Sequence, residues 1–293
     1  MKFVVYLLLN KKINGAETIK ETLDEIYSYL VHCDKLYIFN MFHETQIPLL
    51  ELLSQHQKVE YADVENKGEV VNYQRCMKHA VSIEADYATI MELGYYFEDN
   101  AYNTIRRSII QNEYGNNVAV VTPMPVYTCE EKNDVAQTHR DILGAHLVGT
   151  FINVHIYKQS DGFYEPYYQT TFDYDYCLQV RKNNNRIVLV NNQVLRNKNF
   201  KAVYKKVLFK SFNGYERNTY QVYYETRNRP LLWERYKDFD RKYISIDKKQ
   251  QNLEFKEMRL FEKKYKDKKL VIQQARLDYR LGKFGKAFEE VKY

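Results

Sequence analysis

The chain has 293 residues, of which 45% are hydrophobic and 28% charged; that is enough apolar material for a sizeable core and excludes wholesale disorder. Its formal charge of +6 is unevenly placed. From Lys201 onward about 25 Lys and Arg stand against about 13 Asp and Glu, so a basic tail follows an acidic body. Four cysteines, Cys33, Cys76, Cys129 and Cys177, lie far apart with no C-x-x-C spacing and no leader before them, the pattern of a reduced, cytoplasmic protein.

In chain order, Lys2 to Leu9 reads as a buried first strand, Glu17 to Leu30 as an amphipathic helix and Lys35 to Phe39 as a second strand. A helix at Pro48 to His56, a strand at Lys58 to Tyr61, a helix at Glu69 to Ile83 and a strand at Tyr87 to Met91 follow. Asn100 to Asn112 continues as a helix and Val118 to Thr122 as a strand. This alternation predicts a Rossmann-like, mostly parallel mixed sheet flanked by helices. Beyond Val148 come an apolar run at Phe151 to Tyr157, a break at Gly162, a helix at Phe172 to Lys182 entered through acidic residues, and a strand at Arg186 to Val190. From Tyr215 the chain reads as polar helices. The expected division is a domain at 1–205 and a basic, helical extension at 206–293.

Ligands of open α/β sheets bind beyond the carboxyl ends of the strands. Those ends carry Asn10, Asn40, the stretch from Asp63 to Gly68, and Glu92 to Gly94. Walker-type, G-x-G-x-x-G and G-x-S-x-G motifs are absent from the sequence, which sets aside P-loop hydrolases, dehydrogenases and α/β-hydrolases. His139 and His146 lack zinc-ligand spacing and read as structural or surface residues, and Cys177 as a buried apolar one. No nucleic-acid-binding signature is found.

Several pieces occur in an informative order: Asn66-x-Gly68 then Asn72, a strand ending at Met91, Gly149-Thr150-Phe151-Ile152, Gly162-Phe163-Tyr164-Glu165, and Phe172-Asp173-Tyr174-Asp175-Tyr176-Cys177-Leu178. Tyr223-Tyr224-x-x-Arg227-Asn228-Arg229 and Ala275-Arg276-Leu277-Asp278-Tyr279 complete the set. So ordered, they resemble the family 2 glycosyltransferases, in particular the rhamnosyltransferase-like branch. The resemblance implies a GT-A fold, a nucleoside diphosphate sugar donor, and inverting transfer to a hydroxyl of a saccharide or lipid-linked acceptor in surface polysaccharide biosynthesis. By the same resemblance Asp173 matches the base that takes the acceptor proton, and Asp175 the second acid. Helix capping remains the competing reading of both. Asn10, Asn40, Asn66, Gly68, Asn72, Glu92 and Arg181 are the candidates for holding the donor.

Three positions depart from the family. Glu92-Leu93-Gly94 stands where an Asp-x-Asp pair would hold magnesium or manganese, leaving Glu92 as a single metal ligand. Phe39 replaces a base-contacting Asp, and Gln179 replaces an Arg, with Arg181 or Arg227 left to meet the pyrophosphate. These departures fit either a metal-independent transferase or a non-catalytic binding or partner subunit. The tail segment Tyr215 to Lys237, rich in tyrosine and cations around Trp233, reads either as a helix packed on the catalytic domain or as a contact with an anionic leaflet at the inner face of the plasma membrane.

Overall fold

The computed structural model describes residues 1–10, 13, 15–42, 47–127, 138–198, 203–207, 210–214 and 216–287; Cys129 lies outside them. Strands β1 (Phe3–Leu9), β2 (Lys35–Asn40), β3 (Val59–Asp63) and β4 (Tyr87–Glu92) alternate with helices α1 (Ala16–Leu30), α2 (Ile47–Ser54) and α3 (Glu69–Ser82). Then come β5 (Tyr95–Phe97), α4 (Ala101–Ile110), β6 (Val118–Tyr127), β7 (His139–Asp141), β8 (Phe151–Asn153) and α5 (Val154–Lys158). A 3-10 turn at Glu165–Tyr167 leads into α6 (Phe172–Lys182) and the long strand β9 (Arg186–Asn197). The hairpin β10 (Val203–Val207) and β11 (Lys210–Gly214) precedes the helices α7 (Thr219–Tyr236), α8 (Arg241–Phe261) and α9 (Tyr265–Arg280).

Nine strands form one mixed sheet in the order β3-β2-β1-β4-β8-β6-β9-β5, with β7 also on β9. β1 pairs in parallel with both β2 and β4, and β6 in parallel with β9, so most of the ladder is parallel. Every residue of β1 is buried, as expected of a strand covered on both faces. Val4, Tyr6 and Leu8 face a core shared with α3 and α6, whereas Phe3, Val5, Leu7 and Leu9 face one shared with α1 and α4.

The sequence pattern missed short pieces. The apolar run from Phe151 splits into β8 and α5, because Asn153 accepts hydrogen bonds from the backbone of His155 (3.0 Å) and Ile156 (3.2 Å) and caps a helix there. The hairpin β10 and β11 was not expected, and the division placed between residues 205 and 206 falls within β10. β6 and β9 run farther than expected, to Tyr127 and Asn197.

The tail packs onto the sheet domain. α7 starts with a capping box between Asn218 and Gln221 and buries Tyr223, Tyr224 and Leu232. Buried Arg227 donates to the carbonyls of Tyr167 (3.0 Å) and Gly285 (2.8 Å), and buried Asn228 donates to those of Tyr167 (3.1 Å) and Gln169 (2.7 Å). Tyr223, Tyr224 and Tyr236 are therefore engaged in packing and the Trp233 indole donates to Asp247 at 2.6 Å, whereas Tyr220 is exposed. No described helix is long and apolar enough to cross a membrane.

Candidate active site

At the carboxyl rim of the parallel strands, β2 ends on Asn40, β4 on Glu92, and α3 begins just after Gly68. The turn before α3 is folded by Asn66, whose Oδ1 accepts from the Gly68 backbone (3.1 Å) and from Asn72 Nδ2 (2.9 Å). Gly68 has φ +98°, and a Cβ there would come within 2.5 Å of the Tyr168 ring. A side chain at this position would therefore be both strained and obstructed.

Asp173 enters through an unusual approach. Tyr168, Thr170 and Thr171 all have positive φ (62°, 54° and 65°), a cluster of left-handed residues that side chains disfavour and that a site commonly retains for positioning. The Thr170 amide is held by Glu69 Oε2 at 3.2 Å. Phe172 then packs on Tyr73 and Phe163, with ring centroids 5.0 and 5.4 Å apart. Phe172 is thus an aromatic plug at the start of α6, and Asp173 follows it directly.

The Asp173 carboxylate is buried. One oxygen accepts from the Tyr174 amide (2.8 Å) and the other lies 2.6 Å from His146 Nδ1. The imidazole is open on its far side, with 64% of the side chain accessible, and its Nε2 lies 3.3 Å from the Tyr174 hydroxyl. Partial desolvation opposes protonation of His146, but the Asp173 carboxylate, with Glu69 and Glu225 behind it, outweighs that and raises its pKa above the ordinary 6.5. Sequence spacing had made His146 a structural or surface residue. The signal that would have found it is spatial, since 27 residues separate it from Asp173.

Glu92 accepts from the Tyr73 hydroxyl at 3.1 Å. Burial, then the carboxylates of Glu92 and Asp173, push Glu69 up to about 8, so Glu69, Glu92 and Asp173 share one electrostatic neighbourhood at the start of α3. Asn40, also buried, donates to Asp63 at 2.7 Å, and Asn10 is exposed just past β1.

Three expected site residues stand elsewhere. Asp175 is fully buried and is held by Arg235 Nε (2.8 Å) and the Tyr167 hydroxyl (3.0 Å), so its carboxylate joins α6 to α7. Burial nonetheless raises its pKa against those partners. Arg181 donates to Asp240 (2.6 Å) and to the Leu143 carbonyl (3.3 Å). Arg227 is enclosed among backbone carbonyls, as described above. Both guanidinium groups are thus engaged by these partners. Gln179, where the sequence resemblance expects an Arg, accepts from the Asp161 amide (2.9 Å) and donates to the Gly162 carbonyl (3.4 Å). Cys177 is buried, and desolvation pushes its thiol up to about 12, the state of an inert packing residue.

Among the described residues, no group of three or more His, Cys, Asp or Glu side chains is placed to hold a metal ion. Gly94, where the second acid of an Asp-x-Asp pair would stand, instead donates its amide to Glu25 (3.2 Å). The described residues therefore do not make a metal site around Glu92.

Beside His146 a cavity of about 360 Å³ opens between β6, the segment from Ile142 to Val148, and β9, within the size range of small-molecule sites.

No protein-family model matches the chain, and no curated protein matches it by sequence. Among solved structures it is similar to Staphylococcus aureus TarS 1-349 in complex with UDP-GlcNAc, at 11% identity over 79% of this chain and 65% of that one, with a TM-score of 0.51. It is also similar to GalNAc-T7 with UDP, GalNAc and Mn2+, at 8% identity over 83% of this chain and 49% of that one, with a TM-score of 0.57. The chain thus spans less than two thirds of either neighbour. At such identities the likeness shows the fold: a mixed α/β sheet of GT-A type flanked by helices.

Proposed function

We propose that the chain is an inverting glycosyltransferase that moves a sugar from a nucleoside diphosphate donor to an acceptor hydroxyl. The observation that supports this most is the buried Asp173 carboxylate, presented at the sheet's rim by a strained approach and paired with His146. The acceptor hydroxyl gives its proton to Asp173 as its oxygen attacks the anomeric carbon. The new C–O bond forms on the face opposite the diphosphate, which leaves with the electrons of the breaking bond. His146 in its cationic form turns the carboxylate toward the cleft. A carboxylate has about four lone-pair sites, so two hydrogen bonds leave room for the acceptor. Asn40, Asn66, Gly68, Asn72 and Glu92 form the donor side, with Asn10 at its edge. Asp175 braces the helix that carries the base, residues 1–205 hold the site, and 206–293 support it.

Because both fold neighbours were solved with uridine nucleotides, UDP-GlcNAc and UDP-GalNAc are the first donors to test, followed by thymidine diphosphate rhamnose for the rhamnosyltransferase reading. Transfer or donor hydrolysis is measured with and without manganese for the parent and Asp173→Asn. The substitution should lower turnover by about a hundredfold or more and leave donor affinity within a factor of about three. Undiminished turnover would remove Asp173 from its role.

One observation favours a second reading. Both arginines that could have met the diphosphate are held by the tail or by backbone, as they would be in a binding or partner subunit. Nucleotide binding without transfer to any acceptor would select that reading. A lipid-linked acceptor, with the basic tail on an anionic leaflet, predicts co-sedimentation with anionic vesicles that high salt abolishes.

A further inference from the structure

The cavity beside His146 arises where the sheet comes apart. β8 pairs with β6 only at Val120 and Val121. Beyond that point β6 runs Thr122-Pro123-Met124-Pro125-Val126, and its register with β9 slips between Pro123 and Met124. Two prolines within five residues remove two backbone donors, which a strand tolerates where its neighbour has left. The walls of the opening are mostly apolar, including Met124, Val126, Ile142, Leu189 and Leu195. Among the described residues lining it, none is charged at all pH values, and His146 is the one titratable imidazole. Gly144 admits the Tyr174 ring to the mouth, since a Cβ there would lie 2.9 Å from it.

Thr122, Tyr95, Tyr174, His146 and Asn197 are the polar side chains among the described lining residues, too few to replace the water lost by every hydroxyl of an unsubstituted saccharide, and none of those residues is a fixed cation for a phosphate. We infer that the cavity holds an uncharged apolar portion of the acceptor, so that the hydroxyl presented to Asp173 is carried by, or next to, an alkyl or aryl aglycone. This rests on the transferase reading for its place in a reaction. His146 lines the cavity and also contacts the Asp173 carboxylate at 2.6 Å, so an apolar group seated there would hold its attached hydroxyl close to that carboxylate.

The full chain is titrated by NMR with methyl and n-octyl β-D-glucopyranoside below the micelle-forming concentration, and separately with UDP. The octyl compound should bind at least tenfold more tightly, a ratio that burial of two methylene groups already supplies. It alone should shift the Met124 methyl resonance. Met124→Gln should reduce the preference at least threefold without changing UDP affinity. Equal affinities, or an unmoved Met124 methyl in the parent, overturn the cavity's role even if the variant proves unstable. UDP binding without an octyl preference would strike the cavity alone. An octyl preference without UDP binding would strike the transferase reading and, with it, the acceptor role.

Discussion

Asp173 and His146 meet at 2.6 Å from two different segments of the chain, and the charge on the imidazole is a function of pH. Because the folded pKa of His146 lies above 6.5, the stability its protonation contributes is complete below the unfolded value and is lost as pH rises through the folded one. Denaturant unfolding should therefore show a larger gap between the parent and His146→Gln at about pH 6 than at about pH 9. A constant gap would mean that the pair is held by geometry alone. Asp173 was singled out in the sequence by its place in an ordered set of short motifs. Its partner was not, because a histidine 27 residues away carries no local signature of the carboxylate it will face. A carboxylate at a helix start, such as Asp175, looks the same in sequence whether it points at a cleft or at Arg235.

At the level of elements, the turn between β3 and α3 and the approach to α6 fit each other through one missing side chain. Gly68→Ala would place a methyl against the Tyr168 ring in a backbone region that alanine disfavours, and it should cost about 3 kcal/mol of stability. Shortening the ring in a Gly68→Ala, Tyr168→Ala double variant should recover part of that loss relative to Tyr168→Ala alone, the backbone strain remaining. Thermal or denaturant unfolding of the three variants decides this. The long elements could be read in advance: β1, α3 and α6 are strongly patterned and start or stop close to where periodicity puts them. The pieces that escaped, β5, β7, β8 and the hairpin at β10 and β11, run from 3 to 5 residues. The pairing of β5, β7 and β8 is set by strands distant in sequence, β9 for the first two and β4 and β6 for the third, so a local window holds too little of the cause.

Across the whole molecule, the tail and the sheet domain are joined by buried polar contacts. Arg235 of α7 is the cation facing the fully buried Asp175 and also lies over the Tyr164 ring, 3.8 Å from its centroid. Arg235→Ala would leave a carboxylate enclosed without a counter-charge, at a cost of about 3 kcal/mol. Asp175→Asn, which keeps the shape and removes the charge, should cost less. Unfolding midpoints in urea measure both, and the opposite ranking would deny the ion pair its bracing role. The division into a basic tail and an acidic body was visible in the charge pattern, but the role of the tail's buried cations was not, since composition does not distinguish an arginine facing solvent from one bonded to carbonyls.

Asn228 and Arg227 grip the carbonyls of Tyr167 and Gln169, at the start of and within the run of positive φ angles that delivers Asp173. The segment from Tyr168 to Thr171 therefore does not keep its shape by its own preferences. Its conformation is stored in another part of the chain, about sixty residues downstream. A chimera that exchanged the tail of this protein for a different one would inherit every residue of the cleft and still lose their alignment, so the two segments have to change in concert.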